Sequence, residues 1–414
     1  MSGTDVGRDG LRSYFEASLR GFGGIGGRAL AQAAVVLLLA RVLGPSSYGR
    51  FVTVLAVAGF LMPLVGLGAA GIILREESRT PGGRAGLRAA ALGLWWRTLC
   101  FVVPLGGVAL FFALPPPFPL RAGLFLLAAE VASSSLVELL ARGEQARGRL
   151  GRYGIAQAGL VWTRLLVLVA LAVWLGAHRL ALWMIFYGVA GIGYAGVLGL
   201  LVLRPRPRRG GMSPWGLARQ SWPFAAGSFG HRLQNEFNKP VLAYSGFGDV
   251  ARLNVAQRAV DVVVLPLLAL QEALWPRLYR SGGDGRRLRR LLAALLGTAV
   301  LAGVGLRFVL APLVPLVLGT GFAGAARLLG LLALLPLFQV LRNTSQVLAA
   351  ARGRMRLVAG AAGAGAAAGV VFSLVLIPRD GSTGAVAALY GAELATVLVY
   401  AGAFLWHRNG ETSG

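Results

Sequence analysis

Apolar residues run along this chain in long blocks separated by short polar gaps, and the gaps alternate in kind: one is rich in arginine, the next is nearly uncharged. A bilayer core about 30 Å thick takes about 20 mostly apolar residues per helix, so the blocks predict about twelve transmembrane helices. Their expected spans are 21–43, 49–74, 87–112, 119–141, 154–176, 180–203, 222–245, 250–275, 287–310, 321–350, 355–377 and 382–406. The fold class this implies is an all-α polytopic membrane protein.

The arginines set the direction. One series of gaps carries Arg8, Arg12 and Arg20; Arg75, Arg79 and Arg84; Arg142, Arg147, Arg149 and Arg152; Arg204, Arg206, Arg208 and Arg209; Arg280, Arg286, Arg287, Arg289 and Arg290; and Arg352, Arg354 and Arg356. The opposite gaps include Gly44-Pro45-Ser46-Ser47, Pro115-Pro116-Pro117-Phe118-Pro119, Gly176-Ala177-His178 and Pro378-Arg379-Asp380-Gly381. Positively charged short loops stay on the cytoplasmic side, so both termini are expected there, in the cell inner membrane, and an even number of helices agrees. The external gaps are too short to house a domain, and no cytoplasmic gap is long enough for a nucleotide-binding one. No cleavable signal peptide is expected, because the first residues are polar and the first apolar block is long enough to remain a helix.

Composition agrees with that plan. Of 414 residues, 56 % are hydrophobic and 14 % charged, far from a soluble domain of this length. A net charge of +25 would suggest nucleic acid in a soluble chain. Here the basic residues belong to loops between membrane helices, so anionic lipid is the expected partner and nucleic acid is not. Cys100 is the single cysteine, so neither a disulfide nor a cysteine metal cluster is expected.

The chain also resembles itself at a shift of about 200 residues, the signature of a two-lobed transporter. Gly44-Pro45-Ser46-Ser47-Tyr48-Gly49-Arg50-Phe51 leads into the second span as Gly246-Phe247-Gly248-Asp249-Val250-Ala251-Arg252-Leu253 leads into the eighth. Arg147-Gly148-Arg149 precedes the fifth span as Arg352-Gly353-Arg354 precedes the eleventh. Two six-helix lobes of the same orientation follow, residues 1–210 and 211–414.

Ionisable side chains inside a bilayer cost about 2.5–3.5 kcal/mol each on insertion scales, so each needs a cavity or a partner. The seventh span is the outlier, with His231, Arg232, Glu236 and Lys239 close together; Arg232, Glu236 and Lys239 fall on one helical stripe. Two readings stay open: an Arg232–Glu236 pair with Lys239 reaching the external interface, or a cavity with surplus positive charge beside Pro240. Arg28 in the first span, Arg164 in the fifth, Arg258 and Asp261 in the eighth and Arg342 in the tenth join the candidate substrate-binding set. Guanidinium groups remain charged and match phosphate oxygens with a planar fork, so a cavity holding several suits an anionic phosphate or diphosphate.

Catalytic signals are missing. His178, His231 and His407 are dispersed, no HExxH pattern occurs, and neither a Gly-x-Ser-x-Gly elbow nor a phosphate loop is present. The expectation is a protein that is not an enzyme and takes no cofactor or metal.

Three stretches carry a family resemblance. Ala40-Arg41-Val42-Leu43-Gly44-Pro45-Ser46-Ser47-Tyr48-Gly49-Arg50-Phe51 resembles the A-R-x-L-G-P-x-x-Y/F-G entry to the second helix of the polysaccharide-biosynthesis membrane proteins, the oligosaccharide-lipid flippases of the superfamily that also contains multidrug exporters. Leu318-Gly319-Thr320-Gly321-Phe322-Ala323-Gly324-Ala325 is similar to that family's turn before the tenth helix, and Leu376-Ile377-Pro378-Arg379-Asp380-Gly381-Ser382-Thr383-Gly384-Ala385-Val386-Ala387 to its stretch before the last. The resemblance implies two pseudo-symmetric six-helix lobes around a central cavity, moving an undecaprenyl-diphosphate-linked oligosaccharide outward by alternating access. Its implied partners are that lipid-linked oligosaccharide diphosphate and membrane lipids, with a glycan polymerase, glycosyltransferases and a coupling ion as further candidates. A cation-coupled multidrug exporter on the same fold is the alternative; it predicts an acidic cavity, whereas the candidates here are mostly basic. The chain departs from many relatives where Asn238 stands before Lys239 in place of an acidic residue, unless Glu236 substitutes.

Overall fold

The computed structural model describes residues 6–79, 86–116, 118–175, 179–202, 212–280, 285–352 and 354–411. Of the sequence features named above, Arg84, Pro117, the Gly176-Ala177-His178 gap, Arg204, Arg206, Arg208, Arg209 and Gly353 lie outside them. The described residues form helices and no strand: α1 (Val6–Leu61), a 3-10 stretch (Met62–Gly68), α2 (Ala69–Arg79), α3 (Leu87–Ala113), α4 (Leu120–Ala146), α5 (Leu150–Leu175) and α6 (Leu180–Val202). Beyond these come α7 (Pro214–Glu236), α8 (Asn238–Ala243), α9 (Phe247–Arg280), α10 (Gly285–Gly305), α11 (Ala311–Leu318), α12 (Ala323–Leu331), α13 (Leu335–Ala351) and α14 (Met355–Glu411).

Eight stretches of the described residues are long and apolar enough to cross a membrane. Two of them, of 54 and 49 residues, are far longer than the roughly 20 residues one crossing needs. The first is interrupted at Gly44, φ 70°, and again at Val65, Gly66 and Leu67; the second is interrupted at Gly381, φ 57°. A prolyl residue lies near each of the two outer breaks, Pro45 directly after Gly44 and Pro378 shortly before Gly381, so backbone freedom and a missing N–H fall together. The two gaps expected at these places are thus kinks between helices. After Gly381 the chain packs back on itself: a side-chain carbon on Gly384 would collide with the Leu376 carbonyl, one on Gly391 with the Phe372 ring, and Arg352 stacks over Phe404 at 5.2 Å. Those pairs descend in register, which makes α14 an antiparallel helical hairpin.

The second expected span, 49–74, is not one helix. Val65, Gly66 and Leu67 leave helical geometry between α1 and α2, and Leu67 takes a left-handed φ of 44°. Non-helical backbone at membrane depth persists only where protein supplies the lost hydrogen bonds. Here the Gly66 N–H donates to the Thr98 hydroxyl oxygen of α3 at 2.7 Å, and that hydroxyl donates in turn to the Leu94 carbonyl at 2.7 Å.

The chain divides into two compact units. The first comprises residues Met1–Val42, Val57–Phe112 and Pro117–Phe229; the second comprises Leu43–Ala56, Ala113–Pro116 and Gly230–Gly414. In the first, α4 packs on α2, α5 and α6, and Trp183 and Met184 are fully buried. A separate apolar knot joins Ile72 and Ile73 of α2, Leu87 and Leu94 of α3, Leu139 of α4 and Leu217 of α7. In the second, α14 packs on α8 and α13, and α9 on α10, α12 and α13.

Polarity is distributed as a lipid solvent requires. Large apolar side chains stand outward on many helices, among them Phe101, Leu166, Leu200, Leu301 and Leu398, while Arg164, Lys239, Arg342 and Glu393 are buried. So much outward apolar surface is stable only against acyl chains. The molecule is an all-α multi-pass membrane protein.

Candidate functional site

In the first unit the two candidate arginines meet different fates. Arg28 of α1 is exposed, and its guanidinium donates to the Gln157 side-chain oxygen of α5 at 3.0 Å. The Gln157 amide donates onward to Glu138 of α4, whose other oxygen accepts from Arg142 at 2.6 Å. Among the described residues Arg28 meets a neutral amide and no carboxylate, so its positive charge is oriented but not cancelled.

Arg164 of α5 is buried and held through both terminal nitrogens, while its Nε has no partner among the described residues. Its Nη2 lies 2.7 Å from a Glu130 oxygen and donates to the Ser133 hydroxyl at 2.8 Å, and its Nη1 donates to the Tyr187 hydroxyl at 3.1 Å. The guanidinium also lies over the Tyr187 ring at 4.4 Å. Room for it comes from Gly191 of α6, where a side-chain carbon would sit 2.7 Å from Nη2. The cluster ties α4, α5 and α6 together, and removing one partner of such a buried pair costs far more than the pair contributes.

The second unit holds the remaining candidates. Pro240 has no N–H to donate to the Glu236 carbonyl, so the hydrogen-bond ladder is interrupted between α7 and α8 while Phe237 itself stays helical at φ −65° and ψ −28°. Lys239 stands one turn after Glu236 and sets its ammonium on that carboxylate. The other Glu236 oxygen lies 3.6 Å from Arg258 of α9, and Arg258 holds Asp261 at 3.0 Å. Lys239, Glu236, Arg258 and Asp261 therefore form a row of alternating charge from a buried end at Lys239, 2 % exposed, to an open end at Asp261, 52 % exposed. Arg232 acts electrostatically on the same Glu236.

Lys239 thus meets Glu236 inside the protein instead of reaching outward alone. His231 sits one residue before Arg232, with its backbone carbonyl accepting from the Asn235 amide at 2.9 Å. Asn238 is 1 % exposed and neither side-chain polar atom has a partner among the described residues. Arg342 of α13 stands apart from the row and pairs with Glu393 of α14 at 2.7 Å, both buried.

Partners that sequence reasoning left out of the site are Gln157, Ser133 and Tyr187. Gln157 had a signal, a large amide in an otherwise apolar block; Ser133 and Tyr187 had none, because both are ordinary within membrane helices. Among the described residues no group of three or more His, Cys, Asp or Glu side chains is placed to hold a metal ion.

Comparisons with known proteins follow the same lines. The solved structure titled "Lipid II flippase MurJ, inward closed conformation" superposes with a TM-score of 0.76 at 13 % identity, over 93 % of this chain and 86 % of that one. An inward-facing multidrug resistance MATE family transporter of the MOP superfamily gives 0.70 at 13 % identity, over 93 % of this chain and 95 % of that one. The MATE multidrug transporter DinF-BH gives 0.67 at 14 %, over 95 % of each. At such identities the likeness is one of fold. No curated protein sequence matches the chain. The family model described as "Polysaccharide biosynthesis protein" matches residues 22–281, well over half the chain. This chain belongs to the polysaccharide biosynthesis protein family.

Proposed function

We propose that the protein carries an undecaprenyl-diphosphate-linked oligosaccharide from the cytoplasmic to the outer leaflet of the inner membrane, by alternating access of two six-helix lobes, 1–210 and 211–414, with both termini cytoplasmic. The observation that carries this reading is Arg28: an exposed guanidinium, oriented by a neutral amide, keeps its charge for an incoming phosphate. The row around Glu236 sets Lys239 and Arg258 against Glu236 and Asp261, and with Arg232 and His231 on the same helix it is the second place offered to the cargo's polar head. Arg164 and Arg342, each occupied by a carboxylate, contribute by holding helices in place. Family membership supports the glycan-linked cargo, and fold likeness to a lipid flippase supports its lipid tail.

Transport of an anionic head outward is assisted by an inside-negative potential, at about 2.3 kcal/mol per charge per 100 mV. Glycosyltransferases supply such a cargo, and a polymerase consumes it; neither role needs catalysis by this chain. Likeness to the MATE structures leaves a cation-coupled drug exporter as the competing reading.

The test is reconstitution of the full chain into liposomes carrying a polyprenyl-diphosphate oligosaccharide on one leaflet, with a glycan-cleaving enzyme added to the other side. Translocation by the wild type and its loss in Arg28→Ala and Arg232→Ala at normal protein level are expected. Drug uptake without glycolipid movement decides for the exporter.

A further inference from the structure

We infer that the end of the first unit where α4 passes into α5 binds the phosphate of an anionic phospholipid headgroup. Glu144 is approached by three guanidinium groups, Arg147 at 2.9 Å, Arg149 at 3.5 Å and Arg152 at 3.8 Å. The first is a hydrogen bond; the other two are longer than one. A single carboxylate cannot neutralise three cations. The neighbouring carboxylate offers no relief, because Glu77 already accepts two bonds from Arg88, at 2.6 and 2.7 Å, with Arg147 at 3.8 Å. Among these described side chains four guanidinium groups face two carboxylates, a surplus of two.

Local backbone geometry gathers them. Gly148 adopts φ 72°, which lets its N–H reach the Gln145 carbonyl at 2.9 Å and that of Arg149 reach the Glu144 carbonyl at 3.0 Å. The turn thus folds Arg149 and Arg152 over the same acid as Arg147. Nothing stands within 4 Å of where a side-chain carbon on Gly148 or Gly151 would lie, so an incoming group meets open space. Arg149 and Arg152 are the outermost of the set, 52 % and 69 % exposed.

The occupant follows from what adjoins the cluster. Arg152 stands one turn before Ile155 on α5, which is 70 % exposed, so the basic cluster runs on into outward apolar surface. A fork of guanidinium groups beside such a surface matches a phosphodiester joined to acyl chains better than a soluble anion. Basic clusters at the ends of membrane helices draw anionic lipid by the same electrostatics. The site uses no residue assigned above to the cargo.

Titration of the purified full-length protein with phosphatidylglycerol, phosphatidylcholine and inorganic phosphate, with bound lipid counted by native mass spectrometry, tests this. Wild type is expected to prefer phosphatidylglycerol. The double variant Arg149→Gln/Arg152→Gln should bind it about twenty- to thirty-fold more weakly, from about fivefold per arginine at a charged lipid surface. Arg149→Lys/Arg152→Lys should stay within a few-fold of wild type, and Arg179→Gln, at another exposed arginine, should match it. Unchanged affinity in the double glutamine variant, equal binding of phosphatidylcholine, or competition by inorganic phosphate at the lipid's own concentration would each overturn the assignment. Unaltered phosphatidylcholine binding checks that the variants are folded, and Arg152→Gln alone, expected about fivefold weaker, decides if the double variant is not. The readout is lipid binding, so failure here leaves the transport reading untouched.

Discussion

The carbonyl oxygen of Phe247 occupies the space that a side-chain carbon on Gly49 would need. These residues belong to the two repeat-related segments, Gly44 to Phe51 and Gly246 to Leu253, and within the second unit those segments pack on one another. Arg50 lies over the Phe247 ring at 5.2 Å, and the Asn254 amide donates to the Tyr48 hydroxyl at 2.8 Å. Pro45 extends the same contact to Gly321. The family-like motif around Gly49 is therefore a packing motif: its small residue admits another segment's backbone.

Replacing Gly49 by alanine forces either the α9 start or the Leu43–Ala56 segment to move. Backbone cannot yield as a flexible side chain does, so Gly49→Ala should destabilise by about 1–3 kcal/mol, the usual cost of overpacking. A lowered thermal midpoint of the purified protein is the expected result; a midpoint equal to wild type would show that the contact opens freely. Tyr48→Phe, which removes the acceptor for Asn254 and keeps the ring, should cost about 1–2 kcal/mol in the same assay.

The Arg342–Glu393 pair makes a different prediction, because both groups are buried and Glu393 has a second oxygen without a partner among the described residues. Glu393→Ala leaves a buried guanidinium uncompensated and should cost about 3–5 kcal/mol. Arg342→Met combined with Glu393→Leu removes both charges and should recover most of that loss. A double-mutant cycle on unfolding midpoints checks it; additive losses would mean that the two residues are not coupled.

Thr98 carries the broken segment between α1 and α2. Its hydroxyl oxygen is the acceptor for the Gly66 N–H, and valine at that position would fill the space and strand the donor. Thr98→Val should cost about 1–3 kcal/mol, the penalty of a buried unsatisfied polar group, whereas Thr98→Ser should stay close to wild type. Thermal melting separates the two; a Thr98→Val midpoint equal to wild type would show that the Gly66 N–H does not depend on this hydroxyl.

How far these features could be read from residues alone depends on the distance over which each is determined. Helix extents follow from local hydropathy, so the expected spans 87–112 and 180–203 match α3 (Leu87–Ala113) and α6 (Leu180–Val202) closely. The breaks at Gly44 and Gly381 are legible because glycine, proline and polar residues coincide there. The break at Met62-Pro63-Leu64-Val65-Gly66-Leu67-Gly68 was not, since every residue in it is apolar and hydropathy runs straight through; only Pro63 and the paired glycines marked it. In the candidate site, spacing placed Arg258 with Asp261 and set Lys239 one turn from Glu236, because those pairs are local. It could not give Arg164 to Glu130 or Arg342 to Glu393, which come from different helices and depend on how those helices pack.

The last prediction concerns Gln157, which both accepts from Arg28 and donates to Glu138. If an oriented guanidinium receives the cargo's diphosphate, then Gln157 matters for transport without touching the cargo. Gln157→Leu removes the acceptor and leaves Arg28 charged but free to rotate, so it should slow translocation about tenfold, equivalent to about 1.4 kcal/mol of lost positioning. Arg28→Lys keeps a point charge and loses the fork, and should be slow but active; Arg28→Ala should be inactive. Initial rates of glycolipid exposure in the liposome assay, taken at matched protein level and normalised to melting temperature, order the variants. A wild-type rate in Gln157→Leu beside an inactive Arg28→Ala would mean that the arginine acts by charge alone, and the orienting contact would then be a feature of packing between α1 and α5.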